Sequence, residues 1–171
     1  MKKRTFLITA VLAMAISISS VFAVFAAGWG QVSGKWYYYE EDGSVAKSTW
    51  ITTEGGTYYV NSNGTMAANQ WVNADDAWYY VDKDGIATTN QLLKLDSKLY
   101  WFDETGKMVS NQWVEDENNK WYYFDERGQA VTKGWYLIEG DYYYFLNSGA
   151  MAQDAIVPGG YRVGADGKWV Q

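Results

Sequence analysis

The sequence predicts an all-β protein, a solenoid of stacked β-hairpins built from repeats of about 21 residues behind an N-terminal signal peptide. Three observations lead there. Glycines that follow turn residues fall at Gly43, Gly64, Gly85, Gly106, Gly128 and Gly149, in steps of 21, 21, 21, 22 and 21 residues. A second column, Trp29, Trp50, Trp71, Leu92, Trp113 and Trp135, keeps the same period independently. Between the two columns lies a four-residue aromatic or apolar cluster in every unit. Periods of this size mark repeat arrays, in which each unit buries its apolar face against the next.

The first segment differs from all that follows. Lys2, Lys3 and Arg4 precede an apolar run from Phe6 to Ile18, and small residues lead to Val24-Phe25-Ala26-Ala27. This is the layout of a signal peptide, residues 1–26, with cleavage expected after Ala26. An uncleaved anchor is the alternative, because the apolar stretch nearly reaches bilayer length. Either way the basic start orients the rest of the chain outside the membrane, and no membrane contact is expected once the leader is removed.

Residues 27–155 form six repeats. Their clusters read Trp36-Tyr37-Tyr38-Tyr39, Thr57-Tyr58-Tyr59-Val60 and Trp78-Tyr79-Tyr80-Val81, then Leu99-Tyr100-Trp101-Phe102, Trp121-Tyr122-Tyr123-Phe124 and Tyr142-Tyr143-Tyr144-Phe145. Such residues favour strands, and their adjacency argues against helix. Asp42-Gly43, Asn63-Gly64 and Asp84-Gly85 are hairpin turn signals, so each unit reads as cluster strand, turn and short return strand, for example Thr65-Met66-Ala67. A lone hairpin is unstable in water, and stacking supplies the missing burial. Residues 156–171 read as a capping partial repeat, where Trp169 and Val170 close the last apolar face.

Composition narrows the function. The chain has no Cys and no His, which excludes disulfides, thiolate metal sites and His-based catalysis. Three of the 14 basic residues lie in the leader and no acid does, so the remainder carries 11 basic against 20 acidic residues, a net −9. Such a chain is a poor partner for nucleic acid, which is held through its phosphates. The acids gather at turn tips such as Glu40-Glu41-Asp42 and Asp125-Glu126, where they read as solvated loops. Asp82-Lys83-Asp84-Gly85 lacks the further ligands of a calcium loop and reads as a turn. No metal, no cofactor and no catalytic residue is expected. The repeats fill the chain after the leader, so no enzyme is expected.

The units Trp71-Val72…Trp78-Tyr79-Tyr80-Val81…Gly85 and Trp113-Val114…Trp121-Tyr122-Tyr123-Phe124…Gly128 resemble the cell-wall-binding, or choline-binding, repeats of Gram-positive bacteria, over residues 29 to about 155. The resemblance implies a solenoid of hairpins with aromatic cages between successive hairpins that hold the choline of wall teichoic acids. With the leader it points to a secreted protein at the Gram-positive cell wall or surface, and since no sortase-type motif ends the chain, retention there is expected to be non-covalent. The chain departs from the pattern at Leu92 and Leu99 in the fourth repeat and at Thr57 in the second.

A quaternary ammonium is held by ring faces rather than hydrogen bonds. Alternate residues of a strand share a face. The fourth cluster position is apolar or aromatic throughout and reads as interior, whereas the first position varies. The expected ligand-binding set therefore pairs the opening Trp with position one and closes the cage with a position-three Tyr of the same or the next unit. It comprises Trp29, Trp36 and Tyr38; Trp50 and Tyr59; Trp71, Trp78 and Tyr80; Trp113, Trp121 and Tyr123; and Trp135, Tyr142 and Tyr144. Met66, Met108 and Met151 are expected floors. Two other readings stay open at this point. One is a carbohydrate-binding array with Tyr and Trp platforms and Asn-Gln pairs for hydroxyls, and the other is a surface adhesin.

Overall fold

A computed structural model describes residues 26–170. All of the expected leader but its last residue, Ala26, lies outside the described residues. The strands are β1 (Gly28–Val32), β2 (Lys35–Tyr39), β3 (Thr49–Thr53), β4 (Gly56–Val60), β5 (Gln70–Ala74), β6 (Ala77–Val81), β7 (Gln91–Leu95) and β8 (Lys98–Phe102). They continue with β9 (Gln112–Glu115), β10 (Trp121–Phe124), β11 (Gly134–Ile138), β12 (Asp141–Phe145), β13 (Ala155–Val157), β14 (Tyr161–Val163) and β15 (Trp169–Val170). Consecutive strands pair antiparallel in two-stranded sheets, except β13, β14 and β15, which form one three-stranded sheet. The all-β repeat fold expected from the 21-residue period is therefore what the chain adopts.

The hairpins are placed differently from the sequence expectation. Each joins the opening-Trp strand to the cluster strand, so that Trp29 faces Tyr38, Trp50 faces Tyr59 and Trp113 faces Tyr123 across the ladder. The tips are residues such as Asp75-Asp76 and Asp96-Ser97, all at positive φ. That geometry matches the right-handed strand twist even without Asn-Gly. The turns at Gly43, Gly64 and their equivalents return the chain for only one bridge, as in Val60 with Met66. There the Asp or Asn side chain fastens the turn: Ser44 N–H donates to Asp42 Oδ1 and Thr65 N–H to Asn63 Oδ1. The Asx-Gly signal was a true turn, but it caps a cluster strand instead of joining two full strands.

The short return segment binds successive repeats together. Ala67 N–H donates to Tyr59 O of its own hairpin, while Met66 N–H donates to Trp36 O of the repeat before, each at 2.8 Å. Ala87 N–H to Thr57 O, Ala130 N–H to Leu99 O and Met151 N–H to Trp121 O repeat the link. Backbone groups at the edge of one hairpin are thus satisfied by the next repeat, which is why a single repeat has little stability of its own.

The described chain divides into two compact units. One holds the residues up to Val72 together with Val81–Ala87; the other holds Asn73–Tyr80 together with the residues from Thr88 onward. In the first unit Val60 and Val81 are fully buried; in the second Phe102, Phe124, Phe145 and Val163 are. Five of these six are the fourth cluster residues, placed as their apolar character predicts. A fully buried Phe contributes about 1.5–3 kcal/mol by area alone. In the second unit Phe124 packs with Val109, Tyr122 and Ala150, and Phe145 with Val131, Ile138 and Met151.

Candidate functional site

Two aromatic cavities of the same construction stand out among the described residues, one in each unit. In the second unit Trp113 from β9, Trp121 from β10, Tyr143 from β12 and Met151 from the following return segment line a cavity of about 370 Å³. Trp113 and Trp121 share one face of their hairpin, with ring centroids 6.4 Å apart. Tyr143 comes from the next hairpin and meets Trp113 at 4.8 Å, edge to face. In the first unit Trp29, Trp36, Tyr58 and Met66 take the same positions, around an open cavity of about 1290 Å³. There Trp29 meets Tyr58 at 5.2 Å.

Trp29, Trp36, Met66, Trp113, Trp121 and Met151 of the expected set thus come together in two cavities. The third ring is a second-position Tyr of the next repeat, not the third-position Tyr. Stacking explains this: the face presented by one hairpin meets the opposite face of its successor, which carries cluster positions two and four. Tyr38 and Tyr123 lie beside the opening Trp of their own hairpin, at 5.3 and 5.2 Å, where they fix its edge. The signal for Tyr58 and Tyr143 was present in the sequence, since the second cluster position is Tyr in all six repeats: Tyr37, Tyr58, Tyr79, Tyr100, Tyr122 and Tyr143. A constant column passes for core when variation is taken as the mark of a site.

The remaining expected residues are distributed as follows. Trp50 pairs with Tyr59 at 4.9 Å, but position one beside them is Thr57, whose hydroxyl lies 3.2 Å from that of Thr52. Trp71 falls in the first unit, and Trp78, Tyr80 and Met108 in the second. Trp78 is 47 % exposed, and Tyr80 approaches Phe102 at 6.5 Å. In the fourth repeat Leu92 packs against the cluster of Val109, Tyr122 and Phe124. Trp135 contacts Tyr144 at 5.3 Å. It also touches Tyr161 at 6.0 Å and Trp169 at 6.4 Å, and Trp169 reaches Tyr142 at 6.3 Å. Tyr161 from β14 and Trp169 from β15 complete an aromatic cluster with the sixth hairpin.

The walls of both cages are uncharged rings and a Met side chain, and one or more carboxylates stand at each rim. Burial, aided by the carboxylates of Asp82 and Asp84, raises the Tyr58 phenol above its ordinary range. Burial likewise raises that of Tyr143, against the opposing charge of Lys168. Both rings therefore keep their proton at any physiological pH. Asp84 lines the first cavity and Asp166 the second, each just before the turn glycine. Ring faces plus a nearby carboxylate suit a cation that cannot donate a hydrogen bond.

Comparison with known proteins agrees with this geometry. Three family models match. The choline-binding repeat appears at residues 44–87 and 129–169 under one model and at 70–113 under a second, and a cell wall binding repeat at 27–45 and 111–130 under a third. Choline binding protein F of Streptococcus pneumoniae is 35% identical, with a TM-score of 0.68, over 85% of this chain and 48% of that one. CbpJ of Streptococcus pneumoniae TIGR4 is 32% identical, also at 0.68, over 85% and 48%. The chain spans about half the length of these two proteins. No curated protein sequence matches it. Its repeats, their hairpin architecture and these likenesses place the chain in the choline-binding repeat family of cell-wall-binding modules.

Proposed function

We propose that the two cages hold the trimethylammonium group of choline carried by a cell-wall polymer, of the teichoic acid type, and that the protein is a non-catalytic wall-binding module retained non-covalently outside the cell. The observation that carries this reading is the cavity of Trp113, Trp121, Tyr143 and Met151, repeated by Trp29, Trp36, Tyr58 and Met66. Three rings at about 0.5–2 kcal/mol each support a site of roughly millimolar affinity. Two such sites on one array gain useful strength on a polymer through effective concentration. The acidic chain favours a cationic head group. A structure of choline binding protein F in the presence of a peptidoglycan analogue supports a wall polymer as partner.

The test is a choline titration followed by Trp fluorescence and melting temperature. Choline at roughly tens of millimolar is expected to raise the melting temperature by linkage. Trp121→Ala is expected to remove the second site, and Trp36→Ala the first. If choline changes neither fluorescence nor melting in the unaltered chain, the cage reading is wrong.

A further inference from the structure

The two cavities share four wall positions, yet one is more than three times larger than the other. One lining position differs between them in side-chain length. Gln153 lines the second, and its Nε2–H donates at 2.8 Å to the carbonyl of Ala165, another lining residue. The equivalent position in the first unit, four residues after the turn glycine, is Ala68. Asn61, Thr65 and Gln70 line the first cavity together with Ala68.

Those three residues form a connected polar shelf. Gln70 Nε2–H donates to Asn61 Oδ1 at 3.1 Å, and Asn61 Nδ2–H donates to Thr65 Oγ1 at 3.3 Å. The Thr65 hydroxyl donates to Asn63 Oδ1 at 2.7 Å. An amide has two donor hydrogens and an acceptor oxygen, so the shelf keeps hydrogen-bonding capacity for a ligand while its own members are held in place. Its second-unit equivalents are Leu146, Ala150 and Ala155, which provide none. Asn61 also stands out in its own column, where Glu40, Asp82, Asp103 and Asp125 carry charge. The formal charges around the first cavity balance, Lys35 and Lys83 against Glu54 and Asp84.

Resting on the cage reading, we infer that the first unit holds a composite site: the quaternary ammonium sits among Trp29, Trp36 and Tyr58, and a neutral hydroxylated sugar residue of the same polymer lies on the Asn61–Thr65–Gln70 shelf. Ala68 is the specificity-determining residue that keeps the two connected. Neutral amides and hydroxyls over a charge-balanced surface recognise a sugar rather than a phosphate, which needs unbalanced positive charge. The second cage, which carries Gln153 at this position and no polar shelf, takes the ammonium alone.

The experiment uses the full chain and amide-resolved NMR, with choline chloride, chitotetraose and maltotetraose as probes. Choline is expected to shift the indole signals of Trp29 and Trp36. At least one sugar is expected to shift the side-chain amide signals of Asn61 and Gln70 saturably. Ala68→Gln is expected to weaken the sugar response roughly tenfold, the scale of one or two lost hydrogen bonds, with the choline response retained. Gln153→Ala opens the second cage without providing a shelf, and is expected to gain no sugar response. The inference is overturned if neither sugar moves Asn61 and Gln70 in the unaltered chain. It is equally overturned if Ala68→Gln leaves the sugar response unchanged, or if Gln153→Ala alone creates one. A chain in which sugar behaves as expected but choline moves no indole instead overturns the cage reading.

Discussion

The cage of Trp29, Trp36, Tyr58 and Met66 and the cage of Trp113, Trp121, Tyr143 and Met151 have the same walls and different ends. Asp84 and Asp166 stand at equivalent rim positions, but Lys83 Nζ lies 2.5 Å from Asp84, whereas Ala165 precedes Asp166. Thus the first cavity is large, partly polar in its lining and balanced in charge, and the second is small and acidic at its rim. The lesson is that the repeat fixes the frame of a site, while residues just outside the frame decide what else the site admits.

The comparison can be broken most severely by testing whether wall and core are separate. Phe124 is fully buried, and Trp121 is partly open. Phe124→Ala is expected to cost about 3–5 kcal/mol in urea unfolding. Trp121→Ala is expected to cost clearly less while abolishing choline binding in the second cage. Equal losses of stability would show that Trp121 belongs to the core and that the second cavity is no site.

Gly85 tests how the first cage is floored. Its φ is +81°, and an added Cβ would lie 2.7 Å from Met66 Cε. Gly85→Ala is therefore expected to destabilise the fold by about 1–2 kcal/mol and to weaken choline at the first cage only. Urea midpoints with indole-resolved titrations separate the two effects. A variant as stable as its parent would remove Met66 from the account.

Alkaline titration examines both cages together. Tyr58, Tyr79, Tyr100, Tyr122 and Tyr143 all have raised phenol pKa values, with burial the leading cause. A group raised in the folded state contributes stability that is complete below its unfolded pKa and is lost as pH rises through the folded one. Melting temperature is therefore expected to hold steady between about pH 6 and 9 and to fall above about pH 10. A melting temperature that stayed level to about pH 11 would contradict the burial of these phenols.

The smallest expected effect sharpens the electrostatic difference. Lys83 and Asp84 are both well exposed, so their ion pair adds little stability. Lys83→Met is expected to leave melting within about 0.5 kcal/mol and to strengthen choline at the first cage by about two- to threefold. An unchanged affinity would mean that the rim charge is screened by solvent.

The sequence determined the repeat, the strands and the interior column. A 21-residue period in two columns is a property of the chain alone, and Val60, Val81, Phe102, Phe124 and Phe145 are apolar because every hairpin needs the same buried anchor. It also marked the opening Trp and the first cluster position, since the residue type at Trp36, Thr57, Leu99 and Trp121 varies where packing permits variation. The tertiary structure decided which strands pair, because Asp75-Asp76 and Asp96-Ser97 adopt the turn geometry usually associated with Asn-Gly. It decided the third cage ring as well. Tyr58 and Tyr143 lie on the far face of their own hairpins, and only stacking brings that face against Trp29 and Trp113. Last, it decided the extent of each cavity. Ala68 and Gln153 are ordinary loop residues along the chain, and only the fold makes each the lining of a cavity and brings the Gln153 amide within 2.8 Å of the Ala165 carbonyl.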